Sequence, residues 1–225
     1  MKHAQLLEQQ RAIKIIETLR EATKNMVRPA ADLITQEYGQ NPYLVLVSCI
    51  LSLRTKDSVS WPASRRLFSC ARTPESMVQL SQEVIAQQIY PCGFYRQKAK
   101  TILAISADLL SRFDGAVPQT KEELMSFNGV GPKTANLVLA EGFGIPALCV
   151  DVHVHRISNR LGIIKTQTPQ ETEQALMALL PSEYWREFNG LLVMWGQNIC
   201  VPQSPKCSQC VVRPLCDRVG VVRSR

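Results

Sequence analysis

The chain has 225 residues, 45% of them hydrophobic and 20% charged, enough to bury one large core or two modest ones and unlike a disordered or fibrous sequence. Its 26 Lys and Arg against 19 Asp and Glu give a net charge of +7, which favours an anionic partner, most commonly nucleic acid. A solvated basic surface has the same balance, so charge alone does not choose.

The opening "MKHAQLLEQQRAIK" breaks every apolar run with Gln, Glu or Arg, so no secretory leader is expected. "YLVLVSCILSL" (43–53) is too short to span a bilayer and reads as a buried helix. A cytoplasmic protein with reduced thiols follows as the expectation, and there clustered cysteines bind metal more often than they pair. Helix starts recur along the chain. "TPES" (73–76) and "TPQE" (168–171) place Thr at the cap and Pro at the first helical position. Thr120 with Glu123 and Thr168 with Glu171 fit the capping box, in which each side chain satisfies the other's free backbone donor. Leu176, Leu179 and Leu180 continue the helical spacing behind Thr168, and sustained period-two alternation is absent. The pattern predicts an all-α protein of about ten short helices, with no repeat and no Gly/Ser linker between lobes.

"LMSFNGVGPKTANLVLAEGF" (124–143) carries the clearest nucleic-acid signal. A capped helix is expected to run to about Phe127, then "GVG" turns, and a second helix begins near Pro132. Gly129 and Gly131 permit positive φ and close approach by another backbone. The free N–H groups of the turn and of the second helix's first turn, with the helix dipole, suit a phosphate. This is the pattern of a helix-hairpin-helix, which grips the DNA backbone without reading sequence; the alternative is a Gly-rich loop between packed helices. Lys133 sits just inside the second helix. It reads either as one more phosphate contact or as a nucleophile, because a positive helix end and poor hydration lower an amine's pKa.

Further on, "ALCVDVHVHR" places Asp151 before a predicted helix. It fits an N-cap, and it equally fits a carboxylate that stabilises cationic charge building on a sugar as its base departs. His153 and His155, two apart, point to different faces of a helix and do not form a metal pair. The end of the chain gathers four of the eight cysteines as "CVPQSPKCSQCVVRPLC" (200–216), with the spacing C-x6-C-x2-C-x5-C. Residues 200–225 also hold Lys206, Arg213, Arg218, Arg223 and Arg225 against Asp217 alone, and Pro202, Pro205 and Pro214 mark a compact non-helical loop. One short loop supplying four thiolates suits a [4Fe–4S] cluster better than a zinc site, which usually has two paired knuckles; a disulfide pair fits the compartment least.

"GVGPKTAN", "VDVH" and the cysteine loop, in that order and spacing, resemble the endonuclease III family of helix-hairpin-helix DNA glycosylase/lyases, from about residue 30 to Cys216. "LSLRTKD" (51–57) and "GFYRQKAK" (93–100) resemble that family's two DNA-probing loops. The resemblance implies two helical lobes with DNA bound across the groove between them. One is a six-helix barrel over 35–145 with the hairpin at about 121–140, and the other combines 1–34 with 146–225. It implies that Lys133 is the Schiff-base nucleophile, Asp151 the catalytic carboxylate, and Cys200, Cys207, Cys210 and Cys216 the ligands of a [4Fe–4S] cluster that ties down a basic loop including Lys206. Gly129 and Gly131 then hold DNA phosphate, and Arg54 stands where the family usually has Gln, in the loop that fills the gap left by a flipped base. Arg favours guanine acceptors, so Arg54 bears on the base tolerated opposite the lesion. Phe94 reads as a wedge between base steps or as a core aromatic. The implied activity is bifunctional excision of oxidised pyrimidines from duplex DNA by a monomer, followed by cleavage of the abasic site, with no membrane involved. Two rivals remain at this level. A monofunctional mismatch glycosylase is expected to lack the hairpin lysine, and its adenine-specific form to continue past the cluster; a non-catalytic redox-sensing DNA module needs neither Lys133 nor Asp151.

Overall fold

A computed structural model describes the backbone of residues 2–225 and the side chains of 5–225. In chain order it contains α1 (Lys2–Thr23), α2 (Ala30–Tyr38), α3 (Pro42–Ser52), α4 (Asp57–Cys70), α5 (Pro74–Met77), α6 (Gln82–Ile89) and α7 (Tyr95–Phe113). Then come α8 (Lys121–Met125), α9 (Pro132–Leu137), α10 (Val152–Leu161), α11 (Pro169–Leu179) and α12 (Trp185–Asn198). Helix α9 runs on as a π-turn over Val138–Gly142, and after α12 the chain makes short 3₁₀ turns only. The described residues hold no strand and no helix long and apolar enough to cross a membrane.

The chain divides into two compact units, one of Met1–Arg28 with Pro146–Arg225 and one of Pro29–Ile145. In the second unit α3 is the hub. Every residue from Tyr43 to Leu51 is buried, because α2, α4, α7, α9 and the π-turn all pack on it. The expected buried helix is therefore what this stretch forms, and each large aliphatic side chain so buried contributes about 1.5–3 kcal/mol. At Gly142 two backbones meet closely: a Cβ there would lie 2.6 Å from the Cα of Pro42. The polar atoms inside are satisfied in series, Tyr43 donating its hydroxyl proton to Ser106 Oγ at 2.7 Å and Ser106 donating to the Ile102 carbonyl at 2.7 Å. In the first unit α1, α10, α11 and α12 enclose a core that includes Ile15, Ile16, Val154, Leu176, Phe188 and Trp195. Arg11 on α1 secures the far end of the chain, donating from Nε to Leu215 O at 3.0 Å and from an Nη to Leu161 O at 2.6 Å.

The caps follow the sequence with one revision. Thr73, Thr120 and Thr168 each accept an N–H from the third helical residue, and Pro74 and Pro169 open α5 and α11. The complete reciprocal box, however, forms at Thr73 with Ser76. At the two expected positions the glutamate turns elsewhere: Glu123 accepts the Thr120 hydroxyl proton at 2.6 Å, and Glu171 accepts the Gln167 N–H, one residue outside the cap, at 2.8 Å.

Candidate active site

The hairpin lies in the second unit. Helix α8 stops at Met125, two residues before the predicted Phe127, because Ser126 and Phe127 close with bonds to Glu123 O and Leu124 O at 3.0 and 3.3 Å in a tightening turn. Gly129 then takes φ +87°, the left-handed conformation expected of it. Gly131 does not: its φ is −101°, and a Cβ built there meets nothing within 4 Å. The fold therefore has no need of glycine at 131, and the freedom that glycine gives lies on the open side of the turn. Gly131 caps α9 and Pro132 opens it, so Lys133 occupies the second helical position, in the first turn. Beneath it Cys49 is fully buried and within electrostatic range of Lys133; burial raises that thiol's pKa to about 12, with the Lys133 charge pulling it the other way.

Arg54 and Phe94 also belong to the second unit and stand together. Both hold left-handed backbone, φ +53° and +57°, and the Arg54 guanidinium sits over the Phe94 ring at 4.8 Å from its centroid. Phe94 is 61% exposed, so it is not a core aromatic. Their two loops are clasped: the Gly93 N–H donates to Thr55 Oγ1 at 3.1 Å, and a Cβ on Gly93 would come within 3.0 Å of the Arg54 carbonyl. Lys98, buried on α7, donates its ammonium protons to Leu51 O, Leu53 O and Thr55 Oγ1, each at 2.7 Å, bracketing Arg54 on both sides. Nothing in the sequence around Lys98 signals its burial. Arg54, Phe94, Lys98 and the hairpin's Gly129 line one open pocket.

Asp151 lies in the first unit as the N-cap of α10, and its Oδ1 accepts from His153 N and Val154 N at 2.8 and 2.9 Å. The two histidines that follow have separate partners, His155 Nδ1 meeting Thr172 Oγ1 at 2.7 Å and His153 Nδ1 an Nη of Arg156 at 3.2 Å. Beyond α12, all four loop cysteines line a single pocket with Trp195, Lys206 and Arg218. All eight cysteines are free thiols. Among the described residues no three His, Cys, Asp or Glu side chains are gathered as tightly as one bound ion requires. Burial raises the pKa of Cys210 and of Cys216, and N–H groups of Val212 and Arg218 respectively oppose it. Arg160 brings an Nη to 3.5 Å from Cys200 Sγ and also donates to Val201 O at 2.8 Å. Two buried donors facing this pocket, Trp195 Nε1 and Arg218 Nε, meet no acceptor at hydrogen-bond geometry among the described residues. The Trp195 N–H is close enough to Cys210 to favour its thiolate, but it is not aligned on it. Lys206 is half-buried at the pocket wall, its N–H bonded to Ile199 O at 2.9 Å.

Residues 47–182, which contain the hairpin and Asp151, match the HhH-GPD superfamily of base excision DNA repair proteins. This chain belongs to that superfamily. Within it the chain is 45% identical to endonuclease III of Thermotoga maritima over 197 residues, 85% of this chain and 92% of that protein. It is 36% identical to endonuclease III of Bacillus subtilis over 190 residues, 81% of this chain and 87% of the relative. Among solved HhH-GPD structures, a trapped covalent endonuclease III–DNA intermediate superposes with a TM-score of 0.80 at 32% identity, over 93% of this chain and 96% of that one. A thermostable thymine-DNA glycosylase shares the fold, with a TM-score of 0.82 at 24% identity. Membership of the endonuclease III branch is thus carried by sequence and fold together. The chain is all-α, as the helix signals predict, and adopts the HhH-GPD fold that the family resemblance implies.

Proposed function

We propose that this chain is a bifunctional DNA glycosylase and abasic-site lyase of base excision repair, acting as a monomer on oxidised pyrimidines in duplex DNA. The observation that carries it is Lys133 at the second position of α9, behind the left-handed turn at Gly129, in a chain 45% identical to an endonuclease III. The sugar carbon is unreachable inside the base stack, so the damaged nucleotide is flipped out. Arg54 fills the gap beside the orphaned base and Phe94 wedges between steps, the pair being held ready by their stacking and by Lys98. Hairpin amides at Gly129 and Gly131 hold the phosphate.

Lys133 Nζ then bonds to C1′ as the C1′–base bond breaks, the base leaving with the electron pair and with a proton from the amine. Asp151 stabilises the positive charge on the sugar during this step. Ring opening gives an imine, which acidifies the C2′ proton; its loss expels the 3′ oxygen and cuts the strand by β-elimination. We assign this activity to the compartment that holds the DNA.

Cys200, Cys207, Cys210 and Cys216 hold a [4Fe–4S] cluster in this reading. The pocket fits the group through its donor set: two buried N–H groups there meet no aligned acceptor, and the thiolates and bridging sulfides of a cluster accept such groups. The cluster anchors the basic loop of Lys206 to α12; the base chemistry stays with Lys133 and Asp151. Borohydride reduces an imine to a stable amine, so incubation with a duplex holding one oxidised pyrimidine gives a protein–DNA adduct on a denaturing gel. Lys133→Gln abolishes the adduct while leaving DNA binding in place. Undiminished trapping by that variant would assign the nucleophile to another amine, and absence of trapping by the parent protein on every lesion would overturn the lyase.

A further inference from the structure

We propose that the Trp195 indole N–H donates a hydrogen bond to a sulfur of the cluster and thereby holds its reduction potential up. This rests on the cluster reading above and adds a residue that neither the cysteine spacing nor the kinship assigns.

Trp195 lies on α12 five residues before Cys200 and is 2% exposed. Its ring packs in the first unit's core, against which Cys200, Cys210 and Cys216 also pack, and it lines the same pocket as all four cysteines. Its Nε1 is buried and has no aligned acceptor among the described residues. An indole nitrogen is a donor only, so no tautomer or ring flip relieves it. A phenylalanine would fill most of that volume without bringing a donor that must be satisfied. The fold does satisfy an indole elsewhere: Trp185, at the other end of the same helix, donates from Nε1 to Leu180 O at 2.9 Å. The orphaned donor at 195 therefore points to an acceptor that enters the pocket with its occupant, and the acceptors a [4Fe–4S] cluster supplies are sulfur atoms. Arg218 Nε, buried and unpartnered in the same wall, and the Arg160 Nη near Cys200 Sγ complete a donor-rich lining.

A hydrogen bond to cluster sulfur stabilises the more negative, reduced state, so removing it makes the cluster harder to reduce. A charge-assisted bond is strong enough to change the reduction equilibrium on the order of tenfold, which for a one-electron couple is 59 mV. The electron comes from the electrode or from dithionite, and no protein bond is made or broken.

The test uses the purified holoprotein, with iron and acid-labile sulfide quantified first. Trp195→Phe is compared with Trp185→Phe, which deletes an indole donor of the same helix outside the pocket. The expected result is full cluster loading in both, a potential lower by the equivalent of about tenfold for Trp195→Phe, and no change for Trp185→Phe. An unchanged potential in fully loaded Trp195→Phe overturns the proposal. Where Trp195→Phe fails to load, the parent protein grown with indole-¹⁵N tryptophan replaces it: coupling of one ¹⁵N to the reduced, paramagnetic cluster is expected, and its absence overturns the proposal. Zinc without iron or sulfide in the parent protein would overturn the cluster reading itself, and with it the acceptor for Trp195.

Discussion

At Asp151 one carboxylate serves a cap and, in the proposed chemistry, a cation. Its Oδ1 takes two N–H groups of α10, which fixes the side chain at the start of the helix without any contribution from substrate. Two substitutions separate the duties. Asn is as good a cap as Asp but carries no charge, so Asp151→Asn is expected to melt with the parent protein while losing about a hundredfold or more in turnover on intact damaged bases. Asp151→Ala loses the cap as well, at a cost of about 1 kcal/mol. On a preformed abasic site the sugar aldehyde is already exposed, and Asp151→Asn is expected to be less impaired there. Thermal melts and single-turnover assays on the two substrates check all of this; equal loss on both substrates would move Asp151 from the glycosylase step to the lyase step.

The hairpin shows which parts of an element are legible in sequence. Gly129, Pro132 and Lys133 were readable because turn, helix start and position in the first turn each demand a residue type. Gly131 was not, because a glycine required by the fold and one left bare for a ligand look the same in one sequence. The structure separates them: Gly129 has positive φ and Gly131 does not. Gly131→Ala is accordingly expected to match or slightly exceed the parent in stability, the unfolded chain losing freedom, while DNA affinity falls. Gly129→Ala is expected to lose about 1–2 kcal/mol through its left-handed backbone. Melting and binding isotherms measured side by side check the contrast, and unchanged affinity in folded Gly131→Ala would remove that face from the DNA interface. Lys98 and Trp195 were illegible for a different reason. A lysine among exposed-looking neighbours and a tryptophan in an apolar helix reveal nothing until their partners, 43 and more residues away for Lys98, are known.

At the scale of the whole molecule the charge of +7 is a property of binding more than of folding. Neutralising DNA phosphates releases counterions, so affinity for undamaged duplex is expected to fall steeply with salt. Lys206→Ala is expected to weaken binding to all sequences alike and to make the slope of log K against log salt shallower by about 0.9. Titrations on undamaged duplex at several ionic strengths check it. Lys206 is half-buried beside the cysteines, so an unchanged slope would assign it to the pocket wall and not to the DNA.

One feature of the chain's path has a consequence in time. The first unit is assembled from both sides of the second, and α1 finds its partners on α11 and α12. The bond from Gln9 Nε2 to Leu179 O joins residues 170 positions apart. A ribosome adding about 5–20 residues per second leaves roughly ten to thirty seconds between those two residues. Throughout that interval Ile15, Ile16 and Leu19 form an apolar stripe whose native partners do not yet exist. The second unit, contiguous from Pro29 to Ile145, is complete well before then. Synthesis therefore delivers the hairpin and its lysine first, and the cysteine loop and the closure of α1 last. A growing chain thus completes the hairpin before the unit that carries Asp151 can close around α1.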